Sequence, residues 1–183
     1  MTTEMITRAR REGLAPEAAA LCRACESELA RGLQTLPDKP EETVASTLAA
    51  LWHAAAGRPL SVQRALQEAL PDLDAAGIAR LRALMRQRIE GTPLAYLSGR
   101  QQFMGLELIA SADALIPREE TELLGRAALD RLHAIVREQG DATVIDVCTG
   151  SGNLALALAW LESRARVLGA DLSEEAIALA RRN

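Results

Sequence analysis

Aromatic side chains are scarce in this sequence, which has two tryptophans, one tyrosine and one phenylalanine among 183 residues. Its core must therefore be built from aliphatic side chains and alanine. Long apolar runs are missing too, since no stretch of about 18 apolar residues occurs, and we expect no membrane-spanning helix. The first segment, MTTEMITRARREG, lacks the apolar centre of a secretion signal, so a cytoplasmic location is expected.

An excess of positive charge is also absent, because the formal net charge is -4. This balance argues against a protein that coats nucleic acid. Cysteine and histidine are too few and too scattered for a typical zinc site. Cys22 and Cys25 form one C-x-x-C pair, and the two histidines, His53 and His133, lie far from it in the sequence. We interpret the two cysteines as small, partly buried helix residues and predict no metal site.

What remains is an ordinary globular composition, with 49% hydrophobic and 25% charged residues. Residues 1–90 have a helical pattern, in which Pro16 suits a helix start and residues 36–40 suit a break, so they predict a helical bundle. No catalytic group of residues is recognisable in this bundle. Its last helix carries four arginines that we interpret as a solvated face: Arg80, Arg82, Arg86 and Arg88.

The character of the sequence changes at residues 91–122, where two of the four aromatic residues and several glycines fall. We expect a β-hairpin or an extended connector in this stretch. Pro117 ends the extended part, and the acids that follow it suit the first turn of a new helix, which is predicted to run to about residue 138.

The most informative segment runs from residue 143 to 171 and reads as strand, glycine turn, helix, strand and acid. Residues 143–147 and 166–170 are short apolar runs typical of buried parallel strands, and residues 154–161 have helix-forming composition. A right-handed crossover places the two strands side by side. Ligands of such units bind at the carboxyl ends of the strands, above the helix N-terminus.

One class of ligand that fits this turn is a dinucleotide. Gly150, Gly152 and Ala155 match the dinucleotide fingerprint. Asp171 follows about 20 residues further on, at the distance where such sites hold a ribose.

The other class is S-adenosylmethionine, whose loop usually reads acid-x-Gly-x-Gly-x-Gly. Asp146, Gly150 and Gly152 fit that spacing, with Cys148 in the first glycine place. The acid before the loop favours this ligand, because a cationic sulfonium and amino group need a nearby carboxylate, whereas a pyrophosphate does not. Cys148 has no neighbouring base in the sequence that would activate a nucleophile, so we interpret it as a small residue in a tight turn.

Residues 89–183 resemble the HemK-type protein-glutamine methyltransferases, which modify a glutamine side-chain amide. The matching segments occur in the family's order: GTPLAYLSGRQQFMGLEL, ALIPREETELL, VIDVCTGSGNLALALA and GADLSEEAIALARRN. The resemblance implies an α/β protein with a substrate-facing helical bundle (1–90), a short β-hairpin connector (91–122) and the first half of a Rossmann-like methyltransferase domain (123–183). It also implies S-adenosylmethionine as the methyl donor.

Carried over by position, the resemblance implies roles for individual residues. Asp171 would bond the ribose hydroxyls of the donor, and Asp146 would help to hold its amino end, directly or through water. Phe103 would lie near the donor pocket, the alternative for Phe103 being a core aromatic residue. The loop residues that would wrap the methionine and ribose part are Thr149, Gly150, Ser151 and Gly152, with Cys148 beside them.

Three features depart from the family pattern. Cys148 replaces a glycine, as in the branch that acts on ribosomal protein L3, and Glu119 replaces the proline of the usual I-P-R-P-E-T-E. The family's Asn-Pro-Pro-Tyr motif, which positions the glutamine amide, is missing, because neither asparagine, Asn153 or Asn183, precedes a proline. We therefore predict no catalytic residue in this chain and interpret it as the N-terminal portion of such an enzyme, inactive alone.

The expected acceptor is the Gly-Gly-Gln loop of a peptide chain release factor, because IPREETELL resembles that branch of the family. Cys148 makes ribosomal protein L3 the alternative. Direct contact with nucleic acid or with a membrane is not expected. Two other interpretations stay open: a non-catalytic module whose bundle docks a translation factor, and a nucleotide-dependent oxidoreductase.

Overall fold

A computed structural model describes residues 14–34 and 39–183 of the chain. The N-terminal segment and most of the predicted break near residues 36–40 lie outside this described part. The chain divides into two compact units, of which the first extends to Arg100 and the second runs from Gln101 to Asn183.

The first unit is helical, as the sequence predicts. Its short helix α5 falls where the sequence predicts a hairpin or connector, and it lies between Pro93 and Gly99, the latter in the left-handed conformation with φ of 71°. Pro before a helix and Gly after it are favourable boundary residues. The helices are α1 (Pro16–Gly32), α2 (Val44–Ala55), α3 (Val62–Ala65), α4 (Ala75–Ile89) and α5 (Leu94–Ser98).

The core of this unit forms around α2, which is buried along nearly its whole length. Trp52 is fully buried, and its indole N–H donates to the Pro71 carbonyl over 2.7 Å, so its polar atom is satisfied. Cys22 and Cys25 belong to the same core. Burial raises the pKa of the Cys25 thiol to about 11. Both cysteines therefore act as small apolar residues, as predicted.

The prediction of a solvated arginine face on α4 is wrong for Arg88. The Arg88 side chain is 5% exposed and that of Glu42 is 11% exposed, and the guanidinium lies 2.6 Å from the carboxylate. Arg88 also donates to the Thr92 carbonyl over 3.2 Å. Helical periodicity places Arg88 correctly on α4 but does not reveal this partner, which is 46 residues earlier in the chain.

The second unit mixes helices and strands. Strands β3 and β4 are parallel, with Val144 opposite Val167 and Asp146 opposite Gly169. This strand–helix–strand unit confirms the predicted partial Rossmann-like arrangement. Its elements are β1 (Arg100–Phe103), β2 (Leu106–Ile109), α6 (Glu119–Gln139), β3 (Ala142–Val147), α7 (Asn153–Leu161), β4 (Ala165–Ala170) and α8 (Glu174–Arg182).

The predicted hairpin is formed by β1 and β2, which pair in a sheet of their own. Met104 and Gly105 make the two-residue turn with φ of 47° and 90°, the left-handed conformation that tight hairpins require. The Met104 N–H donates to Glu122 of α6 over 3.2 Å. A Cβ at Gly125 would lie 2.4 Å from the Met104 sulfur, so a larger residue at this position would require the flexible Met104 side chain to shift.

The two faces of the parallel sheet are covered differently. Val144 and Val167 pack with Leu132, Val136 and Leu158 of α6 and α7 in one apolar cluster. On the opposite face Ile145, Val147 and Leu168 are 64%, 71% and 42% exposed. In the described part of the chain this sheet has two strands, and one of its faces is open. No helix among the described residues combines the length and apolar character that a membrane crossing needs.

Candidate functional site

The glycine turn connects β3 to α7 and contains three residues in the left-handed conformation. Cys148, Gly150 and Gly152 have φ of 63°, 57° and 83°. A Cβ on Gly152 would lie 3.1 Å from Leu156 and 3.2 Å from Ala180, so the conformation favours glycine there and a side chain would also be crowded. A Cβ on Gly150 would meet no atom within 4 Å, so this glycine borders open space that a ligand can fill.

Cys148 is exposed and is the one residue of this turn that has a side chain at positive φ. The left-handed conformation costs an ordinary L-residue roughly 1–2 kcal/mol. Glycine at this position would carry no such cost. The structure agrees with the interpretation of Cys148 as a turn residue, and it adds that the residue is strained.

Thr149 fixes the turn against the second strand. Its N–H donates to the Ala170 carbonyl over 2.9 Å, and its hydroxyl donates to Oδ2 of Asp146 over 2.5 Å. A Cβ on Gly169 would lie 3.0 Å from that hydroxyl, so the glycine leaves the space that the Thr149 side chain occupies. Sequence reasoning missed Gly169, although a glycine inside a strand is a signal of close approach.

Asp146 lies near the carboxyl end of β3 and receives two hydrogen bonds on Oδ2. One comes from the Thr149 hydroxyl and the other from the N–H of Ala155 over 3.2 Å. Ala155 belongs to the first turn of α7, where backbone N–H groups lack partners within the helix. The carboxylate therefore occupies the positive end of α7, and among the described residues its Oδ1 receives no hydrogen bond.

Asp171 follows the last residue of β4 and joins the turn from the other strand. Its Oδ2 accepts the Gly150 N–H over 2.8 Å, and its Oδ1 accepts the Ser173 N–H over 3.0 Å. The bond from Ser173, followed by that from Gly150, lowers the pKa of Asp171 below its ordinary value. The carboxylate is thus held ionised, and each oxygen keeps a lone pair for a further donor.

Ser151 is buried in the turn and is held by hydrogen bonds from several sides. Its hydroxyl donates to Oδ1 of Asn153, the first residue of α7. The side-chain amide of Gln101 lies 3.3 Å from the same hydroxyl and 3.2 Å from Oδ1 of Asn153. The Ser151 carbonyl accepts a hydrogen bond of 2.9 Å from the side chain of Asn183. Sequence reasoning assigned no role to Gln101, Asn153 or Asn183 at this site.

Phe103 has a different environment from the other predicted site residues. Its ring is fully buried and packs in a cluster with Leu108 and Ala157. This is the packing of a core aromatic residue, the alternative that the sequence left open. A place for Phe103 beside a ligand stays a prediction.

The structure brings together the two predicted acids and the turn between them. Because Val147 pairs with Ala170, Asp146 and Asp171 lie near the ends of adjacent strands. Backbone N–H groups, a glycine bordering open space and two carboxylates form an arrangement suited to binding and orienting a ligand with a positive charge and hydroxyl groups. Within the described residues no group of three acidic, cysteine or histidine side chains is placed to hold a metal ion.

Three bacterial proteins named release factor glutamine methyltransferase are similar to this chain. Identity is 46% over 112 residues with that of Xylella fastidiosa (strain Temecula1) and 44% over 111 residues with that of Burkholderia pseudomallei, 61% of this chain in both cases. It is 36% over 132 residues, or 72% of this chain, with that of Moorella thermoacetica. These matches confirm the predicted resemblance.

The matches cover 39%, 38% and 44% of these three relatives, so the chain spans about two fifths of their length. Residues 121–183 also match the family model described as ribosomal protein L11 methyltransferase. That range contains most of α6, together with β3, the glycine turn, α7, β4 and α8. The part of the chain that carries the candidate site therefore resembles methyltransferases with different named substrates.

Proposed function

Since this chain is homologous to release factor glutamine methyltransferases, we propose that it forms part of an enzyme that methylates a glutamine side-chain amide. The single observation that carries the proposal is the pair of carboxylates, Asp146 and Asp171, that hold the glycine turn from the ends of two parallel strands. When bound, S-adenosylmethionine would supply the methyl group as a sulfonium.

The chemistry of these residues fits that donor. Asp171 accepts one backbone N–H on each oxygen, and the remaining lone pairs suit the two hydroxyls of a ribose. No described residue donates to Oδ1 of Asp146, so this oxygen can accept a hydrogen bond from the amino group of the donor, directly or through water. The open side of Gly150 allows the methionine and ribose part to approach the backbone.

The same geometry disfavours the dinucleotide interpretation. A pyrophosphate binds the N–H groups at the first turn of the helix that follows the glycine loop. Here the Asp146 carboxylate already accepts the Ala155 N–H in that turn. Two anions at one helix N-terminus repel each other, whereas a cationic ligand is attracted to the carboxylate.

For the acceptor we propose a peptide chain release factor, with ribosomal protein L3 as the alternative. The segment IPREETELL and the names of the relatives support the first choice, and Cys148 supports the second. A glutamine amide is a poor nucleophile because its lone pair is delocalised, so catalysis must hold it in line with the methyl group. No residue described here is assigned that task, since the Asn-Pro-Pro-Tyr motif is absent from the sequence.

The donor assignment is tested with a longer form, in which this chain is extended to the full length of its relatives. S-Adenosylhomocysteine is titrated into this longer form and its affinity is measured by calorimetry. Asp171→Asn should weaken binding by about ten- to a hundredfold, because a charge-assisted hydrogen bond contributes roughly 1.5–3 kcal/mol. Asp130→Asn, on the exposed surface of α6, is the matched control and should bind like the parent. Equal affinity for the parent and Asp171→Asn would contradict the assignment. Thermal stabilisation by NADH instead would favour the oxidoreductase interpretation.

A further inference from the structure

We infer that Asn183 is a positioning residue that holds the glycine turn to the β1–β2 hairpin in its ligand-binding shape. The inference concerns the same site as the proposed function and rests on that proposal only where a ligand is named. Its basis is a set of contacts between segments that are far apart in the sequence.

The Asn183 side chain bonds to both the hairpin and the turn. Its Oδ1 accepts the Ile109 N–H over 2.6 Å, and its Nδ2 lies 3.4 Å from the Ile109 carbonyl. The same Nδ2 donates to the Ser151 carbonyl over 2.9 Å. Asn183 thus pairs with the end of β2 as a neighbouring strand would, and it uses its donor to reach the glycine turn.

The main chain places Asn183 for this task. Its backbone N–H lies 3.2 Å from the carbonyls of both Leu179 and Ala180, at the end of α8. At the other end of α8, the Ser173 hydroxyl accepts the Ala176 N–H over 3.1 Å, and the Ser173 N–H is bonded to Asp171. Helix α8 therefore links two contacts with the glycine turn. At its start Asp171 accepts the Gly150 N–H, and at its end Asn183 donates to the Ser151 carbonyl.

Gln101 gives the hairpin a second attachment to the same residue. It lies on β1, is 7% exposed, and directs its amide nitrogen at the Ser151 hydroxyl and at Asn153. Both strands of the hairpin therefore act on Ser151, β1 through the hydroxyl and β2 through Asn183 and the carbonyl. Burial of these contacts makes them stronger than equivalent contacts in water.

Holding the Ser151 carbonyl has a direct effect on the turn. The peptide unit is planar, so the direction of the Ser151 C=O also fixes the direction of the Gly152 N–H. That N–H closes the turn by donating to the Thr149 carbonyl over 2.9 Å. Since glycines have the greatest backbone freedom, Gly150 and Gly152 leave the turn dependent on such outside contacts.

Amide hydrogen exchange of Asn183→Asp and Asn183→Leu in the 183-residue chain tests the inference without any ligand. Aspartate keeps the acceptor for Ile109 but loses the donor to Ser151, whereas leucine loses both. We expect at least tenfold faster exchange of the Gly152 N–H in both variants. Exchange of the Ile109 N–H should rise only in the leucine variant. The exchange rate of the Val144 N–H in β3 and the thermal midpoint of the chain show whether the whole second unit has been destabilised.

Gly152 exchange that stays at the parent rate in both variants, with Ile109 exchange raised in Asn183→Leu, would overturn the inference. A second measurement uses the chain extended to the full length of its relatives. In that form Asn183→Asp should bind S-adenosylhomocysteine at least tenfold more weakly than the parent does, and its thermal midpoint should be unchanged. Unchanged affinity would also overturn it. Absence of binding by the parent would instead contradict the proposed function, and the exchange result would still decide the role of Asn183.

Discussion

The carboxylate of Asp171 accepts the backbone N–H of Gly150 over 2.8 Å, across the ends of two parallel strands. This bond links the acid after β4 to the glycine turn after β3, 21 residues earlier. It orients the turn before any ligand arrives and leaves lone pairs of the carboxylate exposed beside it. A preorganised loop of this kind loses less conformational freedom on binding.

The first prediction concerns the protonation of Asp171. Its bonds to Ser173 and Gly150 lower its pKa in the folded state, so its contribution to stability is present above the ordinary value of about 3.9 and is lost as the pH falls through the lower folded value. The NMR shift of the Gly150 N–H should therefore be constant from neutral pH to about pH 5 and should titrate with a midpoint below the ordinary value. A midpoint at or above that value, or the same titration in Asp171→Asn, would contradict this origin of the pKa shift.

The second prediction concerns the strain at Cys148. Replacing it with glycine removes a left-handed side chain, worth roughly 1–2 kcal/mol, and adds backbone entropy worth about 0.5–1 kcal/mol in the unfolded state. Cys148→Gly should therefore raise the free energy of unfolding in urea by up to about 1.5 kcal/mol. Cys148→Ala retains the Cβ and should give no gain. A Cys148→Gly variant no more stable than Cys148→Ala would show that the positive φ costs no more than the added backbone freedom of glycine.

The third prediction separates the cysteines by reactivity. Cys148 is exposed, whereas Cys22 and Cys25 are buried and the pKa of Cys25 is raised to about 11. Since the thiolate is the reactive form, one thiol of the native chain should react with an aromatic disulfide reagent much faster than the other two. The fast reaction should disappear in Cys148→Ala. Fast modification of Cys22 or Cys25 in the folded chain would contradict their place in the core.

The fourth prediction concerns the buried ion pair of the first unit. Arg88→Ala removes the buried guanidinium that lies against the Glu42 carboxylate and should lower the free energy of unfolding by about 3–5 kcal/mol. Arg88→Ala combined with Glu42→Gln should recover part of this loss, because the buried negative charge is removed together with the positive one. Arg86→Ala, at an exposed position of the same helix, should change stability by less than about 0.5 kcal/mol. If Arg88→Ala lowered the free energy of unfolding as little as Arg86→Ala does, the ion pair would be solvated.

The parts of this site that sequence predicts are those that backbone geometry dictates locally. Asp146, Gly150, Gly152 and Asp171 follow a short spacing in which each residue type has a conformational or chemical reason. Asn183 and Gln101 could not be found in this way, because their partners are 74 and 50 residues distant in the chain. Only the fold brings such residues together.

The first unit differs from the prediction at Arg88 and at helix α5, and both differences have physical causes that local sequence patterns do not show. The periodicity of α4 predicts which residues share a face, but not that a loop carboxylate from before α2 would cover Arg88. Helix α5 has five residues, too few for a 3.6-residue repeat to show itself. In the second unit the strands, the crossover helix and the hairpin match the prediction closely, because apolar runs bounded by glycine turns are clear signals in the sequence.

The open face of the parallel sheet bears on what the 183-residue chain can do alone. Parallel sheets are stable mainly when both faces are covered, and here Ile145, Val147 and Leu168 are exposed on one face. We expect the parallel strand pair, and the glycine turn with it, to open more often than in a chain whose further strands cover that face. The chain alone should consequently bind the donor weakly or not at all.

The most direct test is an assay of methyl transfer from labelled S-adenosylmethionine to a peptide chain release factor. The 183-residue chain and the same chain continued to the relatives' full length are compared, with Asp171→Asn in the longer form as the control. We predict transfer to a release-factor glutamine by the longer form, strong loss of transfer in the control, and turnover by the 183-residue chain more than a hundredfold lower. Turnover by the chain alone within a hundredfold of the longer form, or full activity of Asp171→Asn, would contradict the proposed role of these residues.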